Sequence, residues 1–339
     1  MSSRSKLLIS VLFIAAIILC IALTRMYLDG AKNTGHTDAN DQVKSIVRTY
    51  GSMRVFESTN GYYGILNEDD AVMIEPEWME VLDVTDSLVV VSRRIEDAVL
   101  IGGIDYEENV VLPFVFSSME PVGNGYFLGT VAEDDSILVY DRAFRLAFPR
   151  SYEKAEADES GMLSLTVSDC VFDYYLGGDS PVLRRASMTS DICGVALQWR
   201  VANQVYLNDL NENDLLRINK IVTSYMLMLQ ESSFDELPAI SASDYIAGLT
   251  KPGSFAGMAF DEISGFSFAS ADGNSAYDFS FTASYHLTDA EAEQMPGTAV
   301  QVQLRFRRNT DNKMILTSSN LNFQGAASAV TEPENEDTE

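Results

Sequence analysis

The chain has 339 residues, 46% of them hydrophobic and 22% charged, with a formal net charge of −27. That length allows two domains of ordinary size. Taking Arg4, Lys6 and Arg25 away from the total leaves −30 on residues 29–339, a surface that repels phosphate backbones and so excludes nucleic acid as a partner.

Residues 1–6 carry Arg4 and Lys6, and residues 7–23 follow as seventeen uncharged residues, polar only at Ser10 and Cys20. As a helix that run spans about 26 Å, close to the roughly 30 Å hydrocarbon core of a bilayer. The expectation is a single-pass transmembrane signal-anchor over residues 7–28 in the cell membrane, with a cytoplasmic stub at 1–6 and the bulk of the chain extracytoplasmic, as the positive charges before the span direct. A cleaved signal peptide is the competing expectation, but its apolar core is usually shorter and ends at a small-x-small site. Here the one such site, Cys20-Ile21-Ala22, lies inside apolar sequence, and the residues around Cys20 lack a lipobox. Residues 29–48 are polar and read as a stalk, with His36 solvated in it.

From about residue 49 to 209 the chain changes to short apolar runs punctuated by Gly, Asn and Asp, the mark of many short strands. A period is present. Asn67, Asp105, Asp141 and Asp173 each end such a run, at spacings of 38, 36 and 32. Eight residues after each stands Glu75 (followed by Pro76), Pro113, Pro149 and Pro181, and three further on Trp78, Phe116, Tyr152 and, out of pattern, Arg184. Further strands are expected at 88–91, 126–131, 162–167 and 194–199. Asp or Asn at a strand end closes a turn through its side chain, proline ends a ladder for want of an amide hydrogen, and the aromatic covers the next unit. Each unit then has about three antiparallel strands and must stack on its neighbours. Four to five units are expected: residues 52–56 fit the last strand of a preceding unit, and residues 205–209 a fifth start.

At Tyr63-Gly64-Ile65-Leu66-Asn67 and Ile101-Gly102-Gly103-Ile104-Asp105 the chain resembles the WG-repeat family, over about residues 52–209. Its units run roughly W-G-x-I-D, a short turn, V-I-P, then an aromatic and an acid. No unit here keeps Trp before Gly, and the third and fourth lack the Gly. The resemblance implies a β-repeat array, propeller-like if it closes, that serves as an extracytoplasmic interaction surface and has no catalytic residue.

After Asp209 the period becomes helical. Leu215, Ile218, Val222, Tyr225, Met226 and Leu229 predict a helix to about Gln230, capped by Asn211 or Asn213. Shorter helices are expected at 233–237 and 242–249, with Pro238 and the Lys251-Pro252-Gly253 stretch as breaks. Strands follow at Phe266 and Phe268, from Tyr277 to Leu287, from Val300 to Phe306 and over 314–321, the middle two in clean alternation. A helix and a curved antiparallel sheet over 210–325 make an α+β domain, similar in element order to the cystatin-like or nuclear-transport-factor-like cone. Phe279, Phe281, Tyr285 and Phe306 would line a pocket between helix and sheet, or else fill its core. Residues 326–339 form an acidic tail expected to be disordered. The fold class is mainly β with α+β.

Chemistry is sparsely signalled. Cys170 and Cys193 are a candidate disulfide in an oxidising compartment, or two buried thiols. Ser151-Tyr152-Glu153-Lys154 matches S-x-x-K but falls in the aromatic-acid part of the third repeat. Residues 209–213 begin like a calcium loop but lack its glycine and twelfth-position Glu. His36 and His286 assemble no triad and no zinc site. Gly102-Gly103 and Gly177-Gly178 read as turn glycines. No catalytic, cofactor or metal residue is assigned. The expected function is that of a non-catalytic, membrane-anchored binding or scaffolding protein of the cell envelope with a protein or envelope partner. The alternatives are a ligand sensor working through a membrane partner and an enzyme with a carboxylate-based site in the C-terminal domain.

Overall fold

The computed structural model describes residues 42–324 except 179, 234, 252, 273–274 and 289–297. The expected stub and span at 1–28, most of the stalk, and the acidic tail lie outside the described residues. Among those described, no helix is long and apolar enough to cross a membrane. The fold is mainly β, in antiparallel sheets with few helices. One compact unit ends at Ala155 and a second begins at Glu156.

In the first unit, β1 (Val43–Tyr50), β2 (Met53–Ser58), β3 (Tyr63–Leu66) and β4 (Val72–Trp78) form a four-stranded meander. The stalk expected to reach residue 48 therefore stops earlier, because Val43 to Tyr50 pair with β2. β5 (Glu80–Val84), β6 (Val89–Ile95), β7 (Ala98–Ile104), β8 (Val110–Pro121), β9 (Phe127–Val131) and β10 (Ile137–Tyr140) form a six-stranded meander. β8 pairs with β7 up to Phe116 and with β9 from Phe116 onward, whereas the chain changes sheets at Met79, between β4 and β5. β6 buries both faces: Val89 and Val91 enter one core cluster with Trp78 and Phe114, while Leu88, just before it, and Val90 enter another with Phe116 and Tyr140. Such a strand reads as a continuous apolar run, as Leu88 to Val91 do.

Three hairpins in this unit share one register. Tyr63 pairs with Trp78 and Leu66 with Val72; 38 residues on, Ile101 pairs with Phe116 and Ile104 with Val110; 36 further, Ile137 pairs with Tyr152 and Tyr140 with Leu146. Their turns match as well. Asn67 Oδ1 accepts the amides of Asp69 (2.9 Å) and Ala71 (2.8 Å), Asp105 Oδ1 those of Glu107 (2.9 Å) and Asn109 (2.8 Å), and Asp141 Oδ1 those of Ala143 (2.8 Å) and Arg145 (3.0 Å). The residue three after each anchor has positive φ: 64° at Asp70, 61° at Glu108 and 53° at Phe144. A short carboxylate or amide is required because only it reaches amides two and four residues ahead. The same turn stands at Asp158 and Asn309, which the repeat alignment passes over.

Two expected roles change here. Pro76 and Pro113 do not end strands: they lie inside β4 and β8, where five residues face three on the partner strand (Ile74 to Trp78 against Tyr63 to Ile65; Leu112 to Phe116 against Ile101 to Gly103). A bulge leaves ladder positions open, so proline forfeits nothing there. Gly102 and Gly103 likewise lie within β7 and not in a turn. A Cβ on Gly102 would stand 2.8 Å from Phe114 Cγ and 2.9 Å from the Leu112 carbonyl oxygen, and one on Gly64 2.8 Å from the Phe56 ring. These glycines exist so that an aromatic ring can lie across the strand. Gly102→Ala is expected to lower stability by about 1–3 kcal/mol, read as a reduced urea midpoint at constant m. Gly178→Ala, whose Cβ meets nothing nearer than 3.8 Å, should stay within about 0.5 kcal/mol of the parent.

β11 (Lys154–Ala157), which straddles the boundary, and β12 (Met162–Val167), β13 (Cys170–Tyr175), β14 (Val182–Ile192) and β15 (Val195–Val201) of the second unit form a five-stranded meander. Asp173, the fourth expected turn residue, lies inside β13. It is 2% exposed, and accepts from the Ser164 hydroxyl at 2.5 Å and from the Arg185 guanidinium. The turn is instead Ser168-Asp169, with φ of 50° and 60°, a two-residue hairpin closed by Val167 and Cys170. The expected fifth repeat start is also corrected. Residues 204–209 form α1 (Gln204–Asp209), because the Asn203 side chain accepts the Val205 amide at 3.0 Å and caps a helix there.

α2 (Glu212–Glu231) follows, with Asn211 at its N-cap and a reciprocal bond to Asp214. Its apolar stripe, Leu215, Ile218, Val222, Tyr225, Met226 and Leu229, is buried. The first short helix, α3 (Leu237–Ile240), starts four residues later than expected and takes Pro238 into its first turn, where a missing amide costs nothing. α4 (Ser243–Ile246) falls within the second expected range. β16 (Met258–Ala271), β17 (Ala276–Leu287), β18 (Ala299–Arg308) and β19 (Met314–Gln324) close the unit as a four-stranded meander. α2 touches both sheets: Asn219 Nδ2 donates to the Thr189 carbonyl at 3.0 Å on β14, and the Tyr225 hydroxyl lies 2.6 Å from Ser319 Oγ on β19. The strand-to-helix change read at residue 210 thus falls inside one compact unit.

Candidate functional site

The alternation of β17 and β18 gives the last sheet two unlike faces. On one, Phe279, Phe281 and Phe306 are fully buried and Tyr285 is 7% exposed. Phe279 meets Trp199 at 5.1 Å, Phe266 at 5.2 Å, Phe281 at 6.1 Å and Phe306 at 6.5 Å between ring centroids, while Tyr285 meets Phe260 and Phe323. The four candidate pocket residues are therefore packed aromatic core. Edge-to-face packing of that many rings fills the space between this face and Trp199 of β15.

The opposite face is polar and concave. Register places Asp278 beside Arg305 and Arg305 beside Ser318; the next row is Ser267, Ser280, Gln303 and Asn320. A cavity of about 370 Å³ is lined by Asp278, Phe279, Ser280, Gln303, Leu304, Arg305, Ser318 and Asn320. Arg305 holds Asp278 in a fork, Nε to Oδ1 at 2.6 Å and Nη2 to Oδ2 at 2.8 Å. Both side chains are about 40% exposed. The Asn320 amide reaches Gln303 Oε1 at 3.5 Å. The sequence shows these residues only as the polar half of an alternation; their grouping needs the strand register.

A second polar cluster gathers at the start of α2. Arg308 forks onto Asp214 at 2.8 and 2.9 Å and donates to the Asp209 carbonyl at 2.6 Å. The Tyr277 hydroxyl donates to Asp209 Oδ2 at 2.6 Å, and the Tyr174 hydroxyl to Glu212 Oε1 at 2.7 Å. Burial first, then the bond to Asp209, holds the Tyr277 hydroxyl far above its ordinary range. It stays a neutral donor, and the cluster is a clamp between β13, β17, β18 and α2.

The remaining sequence candidates are scattered. Cys170 and Cys193 are not joined in a disulfide: Cys170 starts β13, while Cys193 sits in the β14–β15 turn with its thiol 3.4 Å from the Met226 carbonyl. Burial, with help from Asp191 and Glu231, pushes the Cys193 thiol up to about 12, which makes it a poor nucleophile. Tyr152 of the S-x-x-K tetrapeptide is buried and bridges to Ile137. His286 meets Asp261 at 2.8 Å in an exposed pair. Among the described residues, no group of three or more His, Cys, Asp or Glu is placed to hold a metal ion.

No family model matches the chain, and no curated protein matches it. Among solved structures it is similar to "Kluyveromyces lactis Hsv2 complete loop 6CD", with a TM-score of 0.25, 10% identity, and 83% of this chain and 86% of that chain covered. A likeness that loose carries no argument.

Proposed function

We propose that this chain is a non-catalytic binding or scaffolding protein, tethered to the cell membrane by its N-terminal apolar segment, that presents a degenerate WG-like β-repeat surface to a cell-envelope partner. The observation that carries the reading is the hairpin that recurs three times with one register and one turn. Repetition of that kind builds a periodic surface with regularly spaced Asn or Asp turns, the use to which stacked repeats are commonly put. The second hairpin also exposes apolar side chains: Val99 is 44%, Val111 58% and Val115 39% exposed.

A photo-crosslinking residue placed at Val111 or Val115 of the full chain in native membranes tests this. The expected result is a discrete adduct from those positions and none from Lys220, an exposed residue on α2. Adducts from Lys220 alone, or none from the hairpin, would overturn it.

A further inference from the structure

We propose that the polar concave face of the last sheet is a binding site for a neutral saccharide. The site lies in the other unit from the recurrent hairpins and stands on a different observation, so it goes beyond the repeat-surface reading and does not depend on it.

Besides the Asp278–Arg305 fork, the face offers groups that both donate and accept. Ser280 and Ser318 offer hydroxyls, Gln303 and Asn320 offer amides, and the side chains line one cavity of about 370 Å³. Among the described residues, neither the Ser280 nor the Ser318 hydroxyl is engaged by another side chain. The register continues the pattern: Thr282 pairs with Gln301, and Gln301 with Asn322. Polar rows therefore run across three strands, which lie roughly 4.8 Å apart.

Charge selects the ligand. On a chain of net charge −27 the cavity holds one carboxylate and one guanidinium, locked to each other by two short bonds. Because the pair neutralises itself, an anion finds no uncompensated positive charge there and a cation no uncompensated negative one unless the fork is broken. Breaking it would give up a bidentate pair. A peptide strand is disfavoured as well, since the backbones of β17 and β18 are paired on both sides and offer it no ladder. Apolar ligands meet little apolar side chain here: Phe279 and Leu304 point into the core at 0% and 1% exposure, and Ala269, paired with Asp278, adds one methyl group. The remaining class is neutral and multiply hydroxylated, able to use fixed donors and acceptors at once. The Asp278–Arg305 fork is then a rigid edge whose outer lone pairs and N–H groups remain open to sugar hydroxyls.

Saturation-transfer NMR on the full-length chain, in a detergent without a sugar headgroup, is the test. The probes are cellobiose, the disaccharide of N-acetylglucosamine, and maltotriose, with glucuronic acid and glucosamine as charged counterparts. At least one neutral probe is expected to show transfer, and Gln303→Ala/Asn320→Ala to weaken it about tenfold or more, since each lost hydrogen bond is worth about 0.5–1.5 kcal/mol. An unchanged thermal midpoint of that double variant keeps the loss assigned to the site. Absence of transfer from all neutral probes would overturn the proposal, as would transfer that the double variant leaves intact, or tighter binding of a charged counterpart.

Discussion

Trp199→Ala is expected to destabilise the second unit by about 3–5 kcal/mol, the range for removing a large aromatic from a core. Trp199 is 3% exposed. Its ring lies 5.8 Å from Phe266, 5.8 Å from Phe268 and 5.1 Å edge-on from Phe279. It thus joins the sheet ending at β15 to the aromatic face of the last sheet. The indole N–H donates to Ser190 Oγ at 2.9 Å and Asn219 Oδ1 at 3.1 Å. Those two keep each other at 2.6 Å, so truncation strands no polar atom and its cost is the cavity. At roughly 2–4 °C per kcal/mol for a unit of this size, the melting transition should fall by about 6–20 °C. Trp199→Phe keeps most of the ring area and should lose less than half as much. Urea denaturation followed by far-UV circular dichroism reads both. A loss under about 1.5 kcal/mol for the alanine variant would show that the two sheets do not share this core.

The elements that were legible in the sequence are those whose information is local. The stripe from Leu215 to Leu229 and its Asn211 cap specify α2 almost to its last residue, because a 3.6-residue period and a cap need no distant partner. β17 and β18 declare themselves by alternation for the same reason. Asn67, Asp105 and Asp141 are legible because their work, accepting amides two and four residues ahead, stays within five residues. What failed to show depends on pairing. Asp173 follows an apolar run just as the other anchors do, yet its partners are Ser164 and Arg185 on neighbouring strands. Pro76 and Pro113 look like strand ends until the register reveals bulges around them. Gly102 looks like a turn glycine until Phe114 is seen lying over it. Val205 and Leu207 alternate as a strand would, but Asn203 captures the local backbone first. The polar cavity follows the same rule, since 27 residues separate Asp278 from Arg305 and only the β17–β18 register brings them together.

Arg308→Met should prove nearly as damaging as loss of Trp199, for an electrostatic reason. Asp214 is 6% exposed and Arg308 25%, and the pair is joined by two hydrogen bonds. A buried carboxylate is tolerated because its desolvation is offset by that fork and by the Asn211 amide at 3.0 Å. Removing the guanidinium leaves the carboxylate with the amide alone, and breaking a buried pair from one side costs about 3–5 kcal/mol. The lower end is expected here, because the capping bond survives. The arginine also releases the Asp209 carbonyl, which it holds at 2.6 Å. If the orphaned charge is the cause, neutralising it must repair the damage. Arg308→Met/Asp214→Asn keeps an oxygen for the Asn211 amide while deleting the uncompensated charge, and should recover at least about 1 kcal/mol over the single variant. Equilibrium urea unfolding of the parent, both single variants and the double variant closes the cycle. A double variant no more stable than Arg308→Met would place the cost in lost packing of the arginine stem, and the clamp at the start of α2 would then be steric rather than ionic.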